Sequence, residues 1–224
     1  MPPVGVILGS SATGPRADLA AAVAGLGAVT IQRHAGGEGY TLPHHIDHAA
    51  NVRALLEAGC EAAIAICSVG SLRDEIEVGA LVCPDDFIAL SDPITTFDDA
   101  RAHRPPGLDP DWRGRLVAAA ASAGVGDGGV YWQVTGPRFE TPAEIRMISP
   151  HAHVVGMTMA SECVVAGELG LPYAAICAVD NMANGIGPGP LGIEEMEAVR
   201  EENAGRLQAA LETILPALGT KGTA

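Results

Sequence analysis

Short apolar runs set between stretches of helical spacing constrain this chain most. Val4-Gly5-Val6-Ile7-Leu8, Val29 to His34, Ala62 to Cys67, Gly129 to Val134, Val154-Val155-Gly156 and Tyr173 to Val179 have the length and β-branched content of buried strands. Gly79 to Leu90 is strand-rich. His48 to Gly59 carries Ala49, Val52, Leu55 and Leu56 at helical spacing and ends on Gly59. Arg113 to Ala123, Pro142 to Ile148 and Ser161 to Leu169 read as further helices, and Ile193 to Leu215 as a closing amphipathic one. Strands alternating with helices define an α/β domain. The 224 residues suffice for one such domain with a sizeable core, and no repeat or second core is visible, so a single domain over 1–224 is expected. Open α/β sheets bind ligands beyond the carboxyl ends of their strands. The polar residues at those exits are therefore the candidates for function.

Charge narrows the partners. The chain carries a net charge of −14, which argues against a nucleic-acid or anionic-membrane partner, since both need a basic surface. An acidic protein that binds an anion must collect its few cations locally. The five cysteines (Cys60, Cys67, Cys83, Cys163, Cys177) have no C-x-x-C spacing and read as free thiols of a reducing compartment. No signal peptide and no run of membrane-spanning length is visible, so a cytoplasmic location is expected.

Several exits carry chemistry. Gly9-Ser10-Ser11-Ala12-Thr13-Gly14 departs from G-x-G-x-x-G at Ser11, which disfavours a dinucleotide. It is either a tight turn or a place where the Ser10 hydroxyl and nearby N–H groups hold one phosphate. Arg33-His34, followed by the Gly-rich loop Ala35 to Pro43, suits an oxyanion, with a surface pair as the plainer reading. His44, His45 and His48 lack a carboxylate or cysteine partner at ligand spacing; they read as the start of a helix and not as a metal site. Cys67, at a buried strand end with no histidine to activate it, reads as packing. In Gly136-Pro137-Arg138-Phe139-Glu140-Thr141, Phe139 offers an aromatic face and Glu140 an acceptor-only carboxylate. Asn181 adds one acceptor and two donors. A carboxylate plus an amide matches the N–H, carbonyl and ring nitrogen along the edge of a 6-oxopurine. The plainer reading of Glu140 is a cap on the Pro142 helix. Asp92 to Trp112 is the longest irregular stretch, of the kind usually functional or interfacial.

Taken together, Arg33-His34, Pro43 to Val52, Gly70-Ser71-Leu72-Arg73-Asp74-Glu75-Ile76, Gly136 to Ile145 and Gly156-Met157-Thr158 resemble the trimeric purine nucleoside phosphorylases. The resemblance runs nearly end to end and is to the branch of the 5′-methylthioadenosine and 5′-methylthioinosine phosphorylases. It implies a phosphorylase-type mixed central sheet flanked by helices. It implies phosphate held by Ser10, Arg33, His34, Ser68 and Thr158. Met157 would lie against the ribose, Phe139 would stack on the base, and Glu140 and Asn181 would read it. Ile193 and Met196 would form an apolar 5′ pocket. His103, followed by Pro105, resembles a histidine sent into a neighbouring subunit's site, so a homotrimer is implied. Asn181 and His34 would serve catalysis, with no metal and no cofactor; phosphate would be a substrate.

Three positions depart from the pattern. Ser11 stands where glycine is usual, Ala183 replaces a second Asp of adenine-specific members, and Asp180 stands where those have Thr. A register one residue off would put Asp180 on the base and restore adenine specificity. The implied activity is phosphorolysis of a 6-oxopurine nucleoside (inosine, guanosine or 5′-methylthioinosine), with 5′-methylthioadenosine phosphorolysis as the alternative. A hydrolytic nucleosidase and a non-catalytic nucleoside-binding module are the competing readings from other classes.

Overall fold

The structure, a computed structural model, describes residues 2–10, 18–36, 39–90, 94–106, 108–187, 189 and 192–219. Its centre is the ten-residue strand β5 (Ala62–Ser71), which lies parallel to an equally long β11 (Tyr173–Met182). On its other edge β5 has two partners in succession. Its first half pairs in parallel with β1 (Val4–Leu8), which pairs with β2 (Val29–Gln32). Its last two residues pair antiparallel with β10 (Val154–Gly156), which continues in parallel to β9 (Val130–Gln133) and β7 (Asp86–Ala89). Beyond β11 come β6 (Leu81–Cys83), antiparallel, and β8 (Val125–Asp127). A small hairpin, β3 (Ala35–Gly36) with β4 (Gly39–Tyr40), stands off this mixed sheet.

The strand period of two sorts β5 between two cores. Ile64 and Ile66 face one side, with α1 (Asp18–Gly25), α3 (Pro110–Ala120) and α6 (Ile193–Ala217) packed over them. Ala63, Ala65 and Cys67 face the other, where their small size admits α2 (His48–Glu57) and α5 (Met159–Leu169). Both isoleucines are fully buried, each worth about 1.5–3 kcal/mol of apolar transfer. The seven-residue α4 (Pro142–Ile148) covers the β9–β10 side. Among the described residues no helix is long and apolar enough to cross a membrane.

The elements follow the sequence pattern with several differences, among them strand β8, which the sequence reading did not assign, and the start of α5 at Met159 and not Ser161. Strands β5 and β11 run on to Ser71 and Met182 because each supplies the other's ladder beyond the apolar run. Helix α3 begins at Pro110 and not at Arg113: the Asp109 side chain accepts from Trp112 N, and Pro110 fits the first turn. The Gly-rich loop after Arg33-His34 contains the β3–β4 hairpin. Helix α1 was not assigned from the sequence. The three histidines do open a helix: His44 and His45 lie in a 3₁₀ turn, Asp47 caps and His48 begins α2.

Candidate active site

β1 and β10 share one edge of β5 but do not meet. The β1 ladder ends at Ile7↔Ala65 and the β10 ladder begins at Val155↔Gly70. In this split opens a cavity of about 480 Å³. Its lining includes Ser10, Arg33, His34, Ser68, Phe139, Glu140, Met157, Thr158, Asn181, Ile193 and Met196. The structure thus brings every sequence-selected site residue to one place except His103. That residue caps the end of a 3₁₀ turn at Ala100–Ala102; it is exposed and does not line the cavity. Ser11 and Asp92 lie outside the described residues.

The anion end is built around Arg33. Its side chain is 1% exposed and faces Glu162 on α5, with Nε 2.8 Å from Oε1 and Nη2 3.0 Å from Oε2. Burial works against the guanidinium charge and Glu162 offsets this, so Arg33 stays charged. Tyr173 donates its hydroxyl to the same carboxylate at 3.0 Å, and His48 Nδ1 lies 3.6 Å from it. Nη1 of Arg33 donates to Thr158 Oγ1 at 2.8 Å. Thr158 stands at the N-cap of α5, yet its hydroxyl does not cap the helix. The positive end of that helix therefore lies at the cavity wall, where anions are favoured. The Tyr131 hydroxyl accepts from the backbone N–H of Thr158 and Met159, which fixes this turn.

His34 is neutral at pH 7. Burial is the main cause that lowers its pKa to about 4, with Arg33 and Arg200 pushing the same way. Its Nδ1 lies 2.8 Å from the Thr41 carbonyl, an acceptor only, so Nδ1 carries the proton. Nε2 is then an acceptor that can take the O–H of a hydrogen phosphate. Tyr40 stacks on the ring, with centroids 4.6 Å apart and planes 6° apart. The Arg33-His34 pair is thus one cation beside a neutral imidazole.

Elsewhere in the lining, Glu140 is buried and Phe139 is 37% exposed. The cap of α4 is Thr141, in a reciprocal capping box with Glu144, so Glu140 is not spent on the helix. Burial raises the Glu140 pKa above the usual carboxylate value. Asn181 Nδ2 donates to Met182 O at 2.8 Å, which fixes the amide and leaves its oxygen and second N–H for a ligand. Gly136, at φ 68°, takes the left-handed conformation that favours glycine and lies against Met157. The alternative register fails. Asp180 is the bulged residue of β11; its Oδ1 accepts from Asn203 Nδ2, and its Oδ2 from Ser68 Oγ and Arg200 Nε. Its carboxylate is turned to α6, not to the cavity.

A sequence profile of the Phosphorylase superfamily matches residues 18–216. The chain belongs to the phosphorylase superfamily. It is 43% identical over 185 residues to the probable 6-oxopurine nucleoside phosphorylase of Archaeoglobus fulgidus, a match covering 81% of this chain and 76% of that one. It is 40% identical over 194 residues to the probable S-methyl-5′-thioinosine phosphorylase of Methanothermobacter thermautotrophicus, covering 85% and 69%. Among solved structures, methylthioadenosine phosphorylase from Schistosoma mansoni in complex with adenine superposes with a TM-score of 0.80 at 19% identity, covering 98% and 92%. At that identity the likeness speaks for the fold.

Within this phosphorylase the last wall is α6. Ile193 and Met196 line the cavity as the sequence suggested, but one turn on the same face presents Glu197 and then Arg200. This wall of the cavity is therefore part apolar and part charged. Sequence reasoning also missed Glu162, Tyr40 and Tyr131. Glu162 left a signal: α5 reads MASECVVAGEL, with Glu162 buried among apolar residues near its start. Cys67 lies behind the wall, 1% exposed, with Sγ 3.6 Å from Arg33 Nη1. Hydrogen bonding to Cys177 is the main cause that lowers its pKa to about 7. Among the described residues no group of His, Cys, Asp and Glu is arranged to hold a metal.

Proposed function

We propose that this protein is a purine nucleoside phosphorylase of the 6-oxopurine type, converting a nucleoside and phosphate to a free purine and ribose-1-phosphate or its 5-methylthio analogue. One observation carries the reading: a single cavity holds a carboxylate–amide pair, Glu140 and Asn181, together with an anion pocket of Ser10, Arg33 and Thr158. A hydrolase needs no anion pocket, and a binding module needs no second substrate site. The A. fulgidus and M. thermautotrophicus relatives support the same class.

Glu140 accepts from N1–H, while Asn181 donates to O6 or accepts from N7–H as charge grows on the leaving base. Phosphate, against Ser10, Ser68, Thr158, Arg33 and the Nε2 of His34, is held for attack on the cationic sugar carbon. Met157 lies against the ribose, Phe139 against the base, and Ile193 and Met196 near C5′. Neither task needs a metal or a cofactor. The working form is a homotrimer in the cytoplasm serving purine salvage, with exposed His103 reaching the next subunit's cavity. The test is initial rates with inosine, guanosine, adenosine and the two methylthio nucleosides, with and without phosphate. Phosphate-dependent release of hypoxanthine or guanine is expected; equal release in phosphate-free buffer refutes the reading.

A further inference from the structure

Two guanidiniums line the cavity, and they are not equivalent. Arg33 has five N–H groups. Its four Nη N–H groups go to Glu162, the Ile7 carbonyl, Thr158 and the weak sulfur acceptor of Cys67, and Nε is ion-paired with Glu162 Oε1 at 2.8 Å. Arg200 is less committed. Its Nε lies 3.1 Å from Asp180 Oδ2, Nη1 2.5 Å from Glu197 Oε1 and Nη2 3.5 Å from Ser68 Oγ. Among the described residues Nη1 and Nη2 each have one such contact, which leaves each a second N–H. The Arg200 side chain is 16% exposed against 1% for Arg33.

Among the described residues the charge balance leaves these two guanidiniums as the cations of the cavity wall. His34 is neutral at pH 7, and Glu140 and Glu197 also line the cavity. A hydrogen phosphate dianion entering it meets two cations, Arg33 paired with buried Glu162 and Arg200 paired with buried Asp180 and half-exposed Glu197. The two guanidiniums reach consecutive residues at the end of β5 from opposite faces of the sheet. Arg33 reaches Cys67 on the α5 side, and Arg200 reaches Ser68 on the α6 side. Asp180, buried and held by Asn203 and Ser68, fixes the Nε edge and so aims the fork. Glu197, 44% exposed, is the partner most easily given up to water.

We propose that Arg200 is a second cationic ligand of the substrate phosphate, closing on it from the α6 face of the sheet while Arg33 holds it from the α5 face. This rests on the phosphorolysis reading above, and the experiment separates the two. Initial rates with inosine are measured across a phosphate series for wild type, Arg200→Met, Arg200→Lys and the double variant Asp180→Asn/Arg200→Met. Loss of one charge-assisted contact is expected to raise the phosphate KM of Arg200→Met by about 10–100-fold. The inosine KM should stay within about 3-fold. Arg200→Lys, which keeps a charge for Asp180 but loses the fork, should show the same change at smaller size. If Arg200 only neutralises Asp180, the double variant returns to the wild-type phosphate KM, and the inference is overturned. An unchanged phosphate KM in Arg200→Lys overturns it too, even if Arg200→Met does not fold, as does an effect confined to the preference at C5′. A wild type that needs no phosphate sinks the phosphorolysis reading itself.

Discussion

Replacing Glu162 by Gln keeps the shape of the side chain and removes its charge. The carboxylate is 0% exposed and its partner Arg33 1%, so neither can recover solvation by turning to water. Breaking such a pair from one side costs about 3–5 kcal/mol, because the remaining ion stays buried without compensation. The glutamine oxygen still accepts one N–H, so the lower end, about 3 kcal/mol, is expected. For a chain of this size 1 kcal/mol moves Tm by about 2–4 °C, so Glu162→Gln should melt about 6–12 °C early. Scanning calorimetry at neutral pH measures this, and Arg33→Met/Glu162→Gln closes the cycle. The double variant should be more stable than Glu162→Gln alone, since both charges are gone. Burial by itself would raise the Glu162 pKa; Arg33, then His48 and Tyr173, outweigh it and hold the pKa below its usual value. With the folded pKa depressed, the stabilisation is complete above the unfolded value of about 4.3 and is lost as pH falls through the folded one. Wild type should therefore lose stability in acid more steeply than the double variant. A Tm for Glu162→Gln within about 2 °C of wild type would refute the account of Arg33 as a buried ion held by this carboxylate.

Other expectations are as direct. Glu140→Gln should lower kcat/KM for inosine about 10–100-fold and narrow its preference over adenosine, through loss of a charged acceptor to N1–H; an unchanged ratio removes Glu140 from base reading. Because burial raises the Glu140 pKa, its protonation should reduce inosine turnover at a pH above the usual carboxylate range, while adenosine loses less. Gly156→Ala would drive a Cβ into the Tyr131 hydroxyl that holds Thr158 N and Met159 N. It should cost about 1–3 kcal/mol in urea unfolding and raise the phosphate KM. His103→Ala should leave the anion pocket intact and raise the nucleoside KM of the assembled protein; full activity of a monomer in sedimentation would contradict a subunit-crossing role.

The longer strands, the α/β class and site residues such as Arg33, His34, Phe139 and Glu140 were legible because their signals are local, whereas Ser68, Met157, Thr158, Ile193 and Met196 came from the family resemblance. An apolar run of five, a glycine after a helix and Gly-Pro-Arg-Phe-Glu-Thr can each be read in place. The charges that govern the site could not be read so. Glu162 meets Arg33 across 129 residues, and Ser68 meets Asp180 across 112, because the strand ends converge where β1 and β10 part from β5. His34 is a neutral acceptor only because folding buries it and offers the Thr41 carbonyl to Nδ1. Whether Asp180 or Asn181 lines the cavity depended on one bulge in β11, since a shift of one residue turns a strand side chain to the opposite face. Residue types and their order set which chemistry the chain could carry. Burial, which decides charge state, and strand register, which decides direction, came only with the packed sheet.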